Sequence, residues 1–221
     1  MILSHKYKFI FLKTKKTAGT SIEIMLSQFC GDNDIITPIA FEDEAYRNMM
    51  GFRGFQNHKT IESQPKGYFN HAPGWYVKKY IGQKTWNSYF KFCFERNPFD
   101  KAISRYYYST KDIYPRPEIN DYITGLPTEK LSNWYIYAIH DKIAVDFVGK
   151  YEKLSDDIQK VMKILHLPNQ VDLPFAKSQY RQDYRHFSKV LNGTSRKHIE
   201  NICAKEIKAF SYKWQNNSEK M

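Results

Sequence analysis

The sequence has no apolar run of about 18 residues, so it predicts no transmembrane helix. Its first residues, MILSHKYKF, lack the apolar region and the cleavage site of a secretory signal peptide. It contains only three cysteines, Cys30, Cys93 and Cys203, whose spacing fits neither a metal motif nor a disulfide framework. We therefore expect a cytoplasmic protein, in a reducing compartment and without a membrane anchor.

Positive charge dominates the residues that are present. Lysine and arginine number 34 against 23 acidic residues, a formal net charge of +11. This excess indicates an anionic partner, which could be a nucleic acid, a membrane surface, a nucleotide or an acidic glycan, although a merely basic surface is the alternative. The 221 residues include 42% hydrophobic and 16% aromatic residues, which excludes a disordered chain. We see no repeat or linker and expect a single domain over residues 1–221.

The stretch from Tyr7 to Phe29 has the pattern of a strand, a small-residue turn and a helix. Tyr7 to Leu12 is an apolar run of strand length, and the residues after Gly19 repeat with the period of a helix face. The first N–H groups of a helix have no partner inside it, and the helix dipole favours an anion there. The stretch therefore predicts an anion site with donors at Lys16, Thr17, Thr20 and Ser21.

This turn is not a Walker A loop. A Walker A loop places Lys-Ser/Thr directly after its second glycine, whereas Lys16 precedes Gly19 by three positions. A solvated basic turn with no ligand is the alternative, and nucleotide binding by another type of loop stays open.

A second strand–turn–helix pattern begins at Tyr89. Tyr89 to Glu95 predicts a central strand covered on both faces, and Arg96-Asn97-Pro98 leads into a helix from Asp100 to Ser109. Ligands of open α/β sheets lie beyond the carboxyl ends of the strands. Both basic turns should therefore lie at that edge of one sheet.

The remaining pattern completes an α/β fold. One helix is predicted at 74–81, with Trp75, Val77, Tyr80 and Ile81 inward. A second is predicted to begin at a cap formed by Ser155, and a third is predicted at 195–210. A third strand is predicted at 144–151 and a short one at 34–39. Residues 113–127 are predicted to be mainly loop, and 40–70 a long loop or insertion in which short helices could occur. Such loops often carry specificity.

Two motifs together resemble the nucleotide-binding signature of sulfotransferases. KKTAGTS is similar to their 5'-phosphosulfate loop, and RNPFDKAISRYY is similar to their 3'-phosphate motif, in which an arginine is followed by Pro two positions on and Ser eight positions on. VGKYEKL and FSYKW also resemble segments of the carbohydrate (Golgi-type or heparan-like) branch. The resemblance spans Phe9 to Trp214 and is that of a bacterial-type cytoplasmic member. It implies a three-layer, P-loop-like fold with a central, mostly parallel sheet flanked by helices.

The resemblance also implies a co-substrate, 3'-phosphoadenosine 5'-phosphosulfate (PAPS), and residues that bind it. The resemblance implies that Arg96 and Ser104 bind the 3'-phosphate, and that Arg196 and Lys197, in a basic segment late in the chain, contact the nucleotide. The residues that it implies for the 5'-phosphosulfate are Lys13, Lys16, Thr17, Ala18, Gly19, Thr20 and Ser21. The branch often has His and Pro at Lys13 and Lys15 and usually Gly at Ala18, which requires an ordinary backbone conformation for Ala18.

Sulfuryl transfer needs little more from the protein than positioning and charge stabilisation. Lys16 is expected to stabilise the leaving 5'-phosphate, and no metal is required. His71 is the first candidate for the base that deprotonates the acceptor, because its residue type suits neutral pH and glycan sulfotransferases carry a catalytic His in a similar place. Glu62 and His58 are weaker alternatives.

The acceptor is expected to be a hydroxyl, with a carbohydrate as the first choice and small alcohols, phenols and protein tyrosine as alternatives. Aromatic faces stack on sugars, so the tyrosines at 106–108, 180 and 184 are groove candidates. A P-loop-like kinase is disfavoured by the glycine–lysine order and by the lack of a strand-end Asp for Mg²⁺. A non-catalytic nucleic-acid binder would cluster its basic residues on one face, so we expect no nucleic-acid partner.

Overall fold

A computed structural model describes residues 1–61, 67–168 and 180–214. The chain divides into two compact units. The first unit contains Met1–Glu95 and Tyr135–Ala176, and the second contains Arg96–Trp134 and Lys177–Met221.

The first unit is built on a five-stranded sheet. Its strands are β1 (Ile2–Ser4), β2 (Phe9–Phe11), β3 (Ile35–Ile36), β4 (Phe90–Glu95) and β7 (Phe147–Lys150), and a separate hairpin pairs β5 (Ala138–Ile139) with β6 (Lys142–Ile143). The strand order is β3-β1-β2-β4-β7. β2, β4 and β7 are parallel neighbours, while β1 is antiparallel to both β2 and β3. Four of the five strands therefore run in one direction, which confirms the predicted mostly parallel sheet.

The α-helices of the described chain are divided between the two units. In the first unit they are α1 (Gly19–Ser27), α2 (Phe41–Met49), α3 (Gly74–Ile81), α4 (Gln83–Ser88) and α9 (Leu154–Ile164). The second unit contains α5 (Pro98–Ser109), α6 (Ile119–Thr124), α7 (Thr128–Leu131), α10 (Gly193–Ile202) and α11 (Ala204–Phe210). A single turn, α8 (Trp134–Tyr137), lies at the boundary in sequence between the two units.

The core of the first unit follows from the alternation of side chains along its strands. Phe92 and Phe94 of β4 point to the same face as Phe9 and Phe11 of β2, and the rings of Phe11 and Phe92 are 5.3 Å apart. The apolar faces of α1 and α9 cover these rings with Ile22, Met25, Leu26, Ile158, Val161 and Met162. Burial of each large apolar side chain contributes about 1.5–3 kcal/mol, so this aromatic layer anchors the sheet.

The other face of the sheet is covered by helices as well. Lys91 of β4 is buried, and its ammonium donates to the carbonyl of Trp86 at 3.0 Å and lies 5.7 Å from the Trp86 ring of α4. At the start of α3, an ideal Cβ on Gly74 would lie 3.3 Å from Leu12 Cδ1. β4 is thus covered on both sides, as its sequence predicts.

The second unit has its own core around α5. Asn97 caps this helix by accepting a hydrogen bond from the Phe99 N–H at 3.1 Å, and Pro98 occupies the first helical position. Phe99 stacks on Phe187 with ring centroids 5.3 Å apart and meets Trp214 edge-on at 4.8 Å. These contacts explain why α5 begins where the sequence predicts.

Four local expectations are wrong. Residues 113–127 contain α6, whose N–H groups at Asn120 and Asp121 are capped by the Glu118 carboxylate. Ser155 is not a cap, because α9 already begins at Leu154 after a 3-10 turn over Tyr151–Lys153. The last helix begins earlier, at a cap formed by Asn192, and is interrupted at Cys203 (φ −102°, ψ 22°).

The fourth error concerns α3, in which Trp75 is 53% exposed while Tyr76 and Val77 are buried. Gly74 brings the first turn of the helix close to the sheet, and Tyr76 is buried in this turn in place of Trp75, whereas Val77 is buried as predicted. The 40–70 segment, expected as a long loop in which short helices could occur, contains the helix α2.

Substitution of Gly149 in β7 tests how closely the parallel strands pack. Gly149 lies opposite Phe94, and an ideal Cβ would lie 2.6 Å from Phe94 Cδ1 and 3.0 Å from Phe94 Cζ. We expect Gly149→Ala to lower the free energy of unfolding by about 2 kcal/mol in urea titrations, because an aromatic ring in a packed core cannot move aside freely. Gly31→Ala, with no contact below 3.8 Å, should change it by less than about 0.5 kcal/mol. Equal effects of the two substitutions would contradict this account.

Candidate active site

The loop between β2 and α1 is held to the neighbouring strand by two buried hydroxyls. Thr14 donates its hydroxyl hydrogen to the carbonyl of Phe94, near the end of β4. Because that hydrogen is used, Thr17 supplies the hydrogen in the 2.7 Å contact between the two threonine hydroxyls. The Thr17 hydroxyl, predicted as a ligand donor, is therefore engaged beneath the loop. Thr14 was not predicted.

The loop turns sharply through two left-handed residues. Lys16 has φ 61° and Ala18 has φ 60°, so the ordinary backbone expected for Ala18 is wrong. Ala18 is the N-cap of α1, and its carbonyl accepts the first helical hydrogen bond from Ile22 at 3.1 Å. The left-handed conformation costs an alanine about 1–2 kcal/mol, which the helix start and the threonine contacts offset. It places the first N–H groups of α1 at the loop, where they have no acceptor within the helix.

Gly19 is required by packing against Lys13. An ideal Cβ on Gly19 would lie 2.8 Å from Lys13 Cγ and 3.1 Å from the Thr14 carbonyl oxygen. The Lys13 side chain is buried, and its ammonium lies 2.7 Å from Glu23 Oε2. Lys13, predicted to bind the nucleotide, thus directs its charge towards a carboxylate in the protein interior.

Glu23 is the buried counter-ion of this site. Its Oε1 accepts hydrogen bonds from the Thr37 hydroxyl and the Met1 amino group, both at 3.0 Å. Burial alone would raise the pKa of Glu23, but Lys13 and the Met1 amino group outweigh it and lower the pKa to about 2. Glu23 therefore stays ionised at neutral pH.

The remaining predicted residues of the loop differ in burial. Lys16 and Thr20 are half-buried, and Ser21 is buried in the first turn of α1. Lys15 contacts the Tyr135 hydroxyl and lies 5.0 Å from the centroid of the same ring. The loop therefore combines helix N–H groups, hydroxyls and lysine side chains at one strand end.

His71 is tied to this loop through the backbone. Its Nδ1 lies 2.9 Å from the carbonyl oxygen of Lys13. A carbonyl can only accept, so Nδ1 carries the hydrogen and Nε2 presents a lone pair. Burial, then the charges of Lys13 and Lys15, lower the pKa of His71 to about 3, despite its bond to the carbonyl. His71 is therefore neutral at pH 7 and able to accept a proton at Nε2.

The two weaker base candidates differ in what can be said of them. The His58 ring contacts the Phe55 ring edge-on at 5.7 Å, and burial lowers its pKa. Glu62 lies outside the described residues.

In the second unit, Asp100 links the positions of Arg96 and Ser104. Arg96 is buried, and its Nε donates to Asp100 Oδ2 at 2.7 Å. Asp100 and Ser104 lie four residues apart on α5 and so face the same side of the helix. Arg181, which was not predicted, binds the other oxygen of Asp100 at 2.5 Å. No periodicity in the polar segment around Arg181 signals this contact.

The other predicted residues of the second unit have structural contacts. Arg196, in the first turn of α10, donates to Glu200 Oε1 at 2.7 Å and lies 4.9 Å from the Trp214 ring, whereas Lys197 is exposed.

The predicted groove tyrosines differ in exposure. Tyr106 is buried and donates to the Pro117 carbonyl at 2.8 Å, Tyr108 meets Tyr180 edge-on, and Tyr184 is 75% exposed.

Comparison with known proteins identifies the family. The model of the sulfotransferase family matches residues 1–130, which is more than half of the chain. The chain belongs to the sulfotransferase family. The matched range includes the loop, His71, Arg96 and Ser104. An uncharacterized protein of Archaeoglobus fulgidus is 38% identical over 111 residues, which cover 46% of this chain and 88% of that protein.

Family membership gives the chemistry in general terms. Members transfer sulfuryl groups, and the family generally uses PAPS as the donor. Among the described residues, no group of three or more His, Cys, Asp or Glu side chains could hold a metal ion. No helix in those same ranges is long and apolar enough to cross a membrane.

The ion pair of Lys13 and Glu23 predicts a large effect on stability. We expect Glu23→Gln to lower the free energy of unfolding by about 3–5 kcal/mol at pH 7, because it leaves the buried Lys13 without its counter-ion. The pKa of Glu23 is lowered, so its contribution is present above about pH 4.5 and is lost as the pH falls towards about 2. Urea titrations at several pH values measure both effects.

Glu42→Gln is the matched control for this prediction. Glu42 undergoes the same change of side chain at an exposed position of α2 and should shift the unfolding midpoint little. If both variants unfolded at the wild-type urea concentration, the ion pair would not stabilise the loop.

Proposed function

We propose that the protein transfers the sulfuryl group of PAPS to an acceptor hydroxyl, with a carbohydrate as the first choice of acceptor. We further propose a single sulfotransferase domain of three-layer, P-loop-like architecture, with in-line transfer and His71 as the base. The observation that carries the proposal is the bond between His71 Nδ1 and the Lys13 carbonyl. It defines Nε2 as the proton-accepting nitrogen of His71, beside the first residue of a loop suited to anions, while burial and the nearby lysines keep the imidazole neutral.

The residues of the loop fit a phosphosulfate. The first N–H groups of α1 and the side chains of Thr20 and Ser21 supply neutral donors, and Lys16 supplies a cation. Gly19 and the left-handed Ala18 shape the backbone on which these donors sit. In this assignment Lys13 and Thr17 position the loop, because the Lys13 ammonium pairs with Glu23 and the Thr17 hydroxyl contacts Thr14.

The 3'-phosphate is assigned to Arg96 and Ser104. Arg96 offers planar donors suited to a phosphate, and Ser104 adds a hydroxyl one helical turn beyond Asp100. Arg196 and Lys197 are assigned as further contacts to the nucleotide from the start of α10.

The chemical step requires two groups from the protein, a base for the acceptor hydroxyl and a cation beside the leaving phosphate. When bound, PAPS supplies an activated sulfuryl group whose transfer leaves a phosphate behind. His71 accepts at Nε2 the proton that the acceptor hydroxyl loses as its oxygen bonds to sulfur. Lys16 stabilises the negative charge that develops on the 5'-phosphate as its bond to sulfur breaks. A bound anion also offsets the charges of Lys13 and Lys15 and so raises the proton affinity of His71.

Calorimetric titration tests the nucleotide site directly. We expect 3'-phosphoadenosine 5'-phosphate, the product nucleotide, to bind in the absence of added metal, because two separate sets of donors are assigned to its two phosphates. ATP, which lacks a 3'-phosphate, should bind at least about 10-fold more weakly. Equal binding of the two nucleotides, or no binding of the bisphosphate, would overturn the proposal.

Replacement of His71 tests the base. We expect His71→Gln to lower kcat by about 100-fold or more while changing the affinity for the product nucleotide by less than about threefold, since the imidazole acts on the acceptor proton. In the wild type, kcat/KM should not fall as the pH drops through 6.5, because the pKa of His71 in the free protein is lowered to about 3. A rate assay between pH 5 and 8 with His58→Gln as control measures these effects. Loss of activity in His58→Gln alone would reassign the base.

A further inference from the structure

Arg96, Asp100 and Arg181 form a compact group within the second unit, here called the Arg–Asp–Arg cluster. Arg96 donates through Nε to Asp100 Oδ2 at 2.7 Å, and Arg181 donates through Nη1 to Asp100 Oδ1 at 2.5 Å. One carboxylate thus bridges two guanidinium groups. Burial alone would raise the pKa of Asp100, but the two arginines lower it, so the carboxylate stays charged.

The charge of this cluster decides whether an anion can bind there. Arg96 and Asp100 alone sum to zero, so a phosphate approaching Arg96 would meet a neutral pair and be repelled by the nearby carboxylate. With Arg181 the sum is +1. The next charges along the segment, Asp183 and Arg185, pair with each other at 2.6 Å and add nothing to the sum.

Arg181 is also held in one orientation. Its Nε donates to the Asp183 carbonyl at 2.6 Å, its Nη2 donates to the Arg185 carbonyl at 3.3 Å, and its guanidinium lies 5.8 Å from the Tyr184 ring centroid. The side chain is only 15% exposed. An arginine fixed by backbone acceptors loses little conformational freedom when a ligand binds, which favours a role in a binding site.

We propose that Arg181 makes the Arg–Asp–Arg cluster cationic and thereby selects nucleotides that carry a 3'-phosphate. This inference rests on the proposed function, in which Arg96 and Ser104 bind that phosphate. Asp100 orients Arg96, and Arg181 neutralises the charge that Asp100 brings. Arg181 lies beyond residues 1–130, the range matched by the family model.

Selectivity for the 3'-phosphate is the quantity that tests this role. The affinities of 3'-phosphoadenosine 5'-phosphate and of adenosine 5'-phosphosulfate, which lacks the 3'-phosphate, are measured by calorimetry, and their ratio is the readout. We expect Arg181→Ala to lower this ratio by roughly 10- to 100-fold, because the hydrogen bond from Arg96 to the phosphate is then formed beside an uncompensated Asp100 carboxylate. Arg181→Lys, which keeps the charge, should retain most of the ratio.

A double variant separates charge from structural support. In Asp100→Asn/Arg181→Ala the cluster again sums to +1, so we expect the ratio to recover by at least about fivefold over Arg181→Ala. A merely structural role of Arg181 would weaken both nucleotides equally and leave the ratio unchanged in every variant. Lys189→Ala, which removes an exposed positive charge from the same segment and leaves the Asp183–Arg185 pair intact, should change the ratio by less than about twofold.

The outcomes distinguish this inference from the proposed function. A wild-type protein that prefers the 3'-phosphorylated nucleotide, with an unchanged ratio in Arg181→Ala, would overturn the role of Arg181 alone. A wild-type protein that binds neither nucleotide, or does not distinguish them, would overturn the proposed function and this inference with it.

Discussion

The conformation of the candidate site depends on Lys13. Its ammonium is paired with Glu23 in the interior, its side chain occupies the space that Gly19 leaves, and its carbonyl binds His71. Three requirements thus meet at one residue: a compensated buried charge, a close packing contact and a defined histidine tautomer. A pair of buried charges is costly to desolvate, and additional hydrogen bonds to the charged groups are needed to offset that cost. Thr37 and the Met1 amino group supply such hydrogen bonds to Oε1 of Glu23.

Much of the fold could be predicted because the local patterns and the tertiary structure agree. β4 and α5 begin and end close to their predicted bounds, since the alternating aromatic residues and the Asn-Pro start signal act locally. Predictions from the sequence were wrong where the conformation depends on a distant or unusual partner. α6 depends on a glutamate cap, a residue type that rarely serves as one, and the helical spacing of α3 did not reveal that Tyr76 rather than Trp75 is buried.

The candidate site shows the same division. The strand–loop–helix pattern predicted where the loop lies, but it could not distinguish side chains at the surface of the loop from those beneath it. Lys13 and Thr17 read as ligand donors in the sequence, and their partners, Glu23 and Thr14, are visible only in three dimensions. The left-handed conformation of Ala18 is set by the turn rather than by the residue type. Arg181 lies 81 positions from Asp100, so no local pattern could connect them.

The environment of His71 has a consequence for repeated turnover. Burial and the nearby lysines lower the pKa of His71 in the free protein, and Nδ1 is occupied by its hydrogen bond to the Lys13 carbonyl. In the proposed mechanism, a proton taken up at Nε2 is therefore retained only while an anion balances the positive charge of the loop. When the product nucleotide leaves in that mechanism, the proton has no stable position on the ring and passes to water. Departure of the nucleotide would thus regenerate the base, and the catalyst needs no separate residue to reset itself.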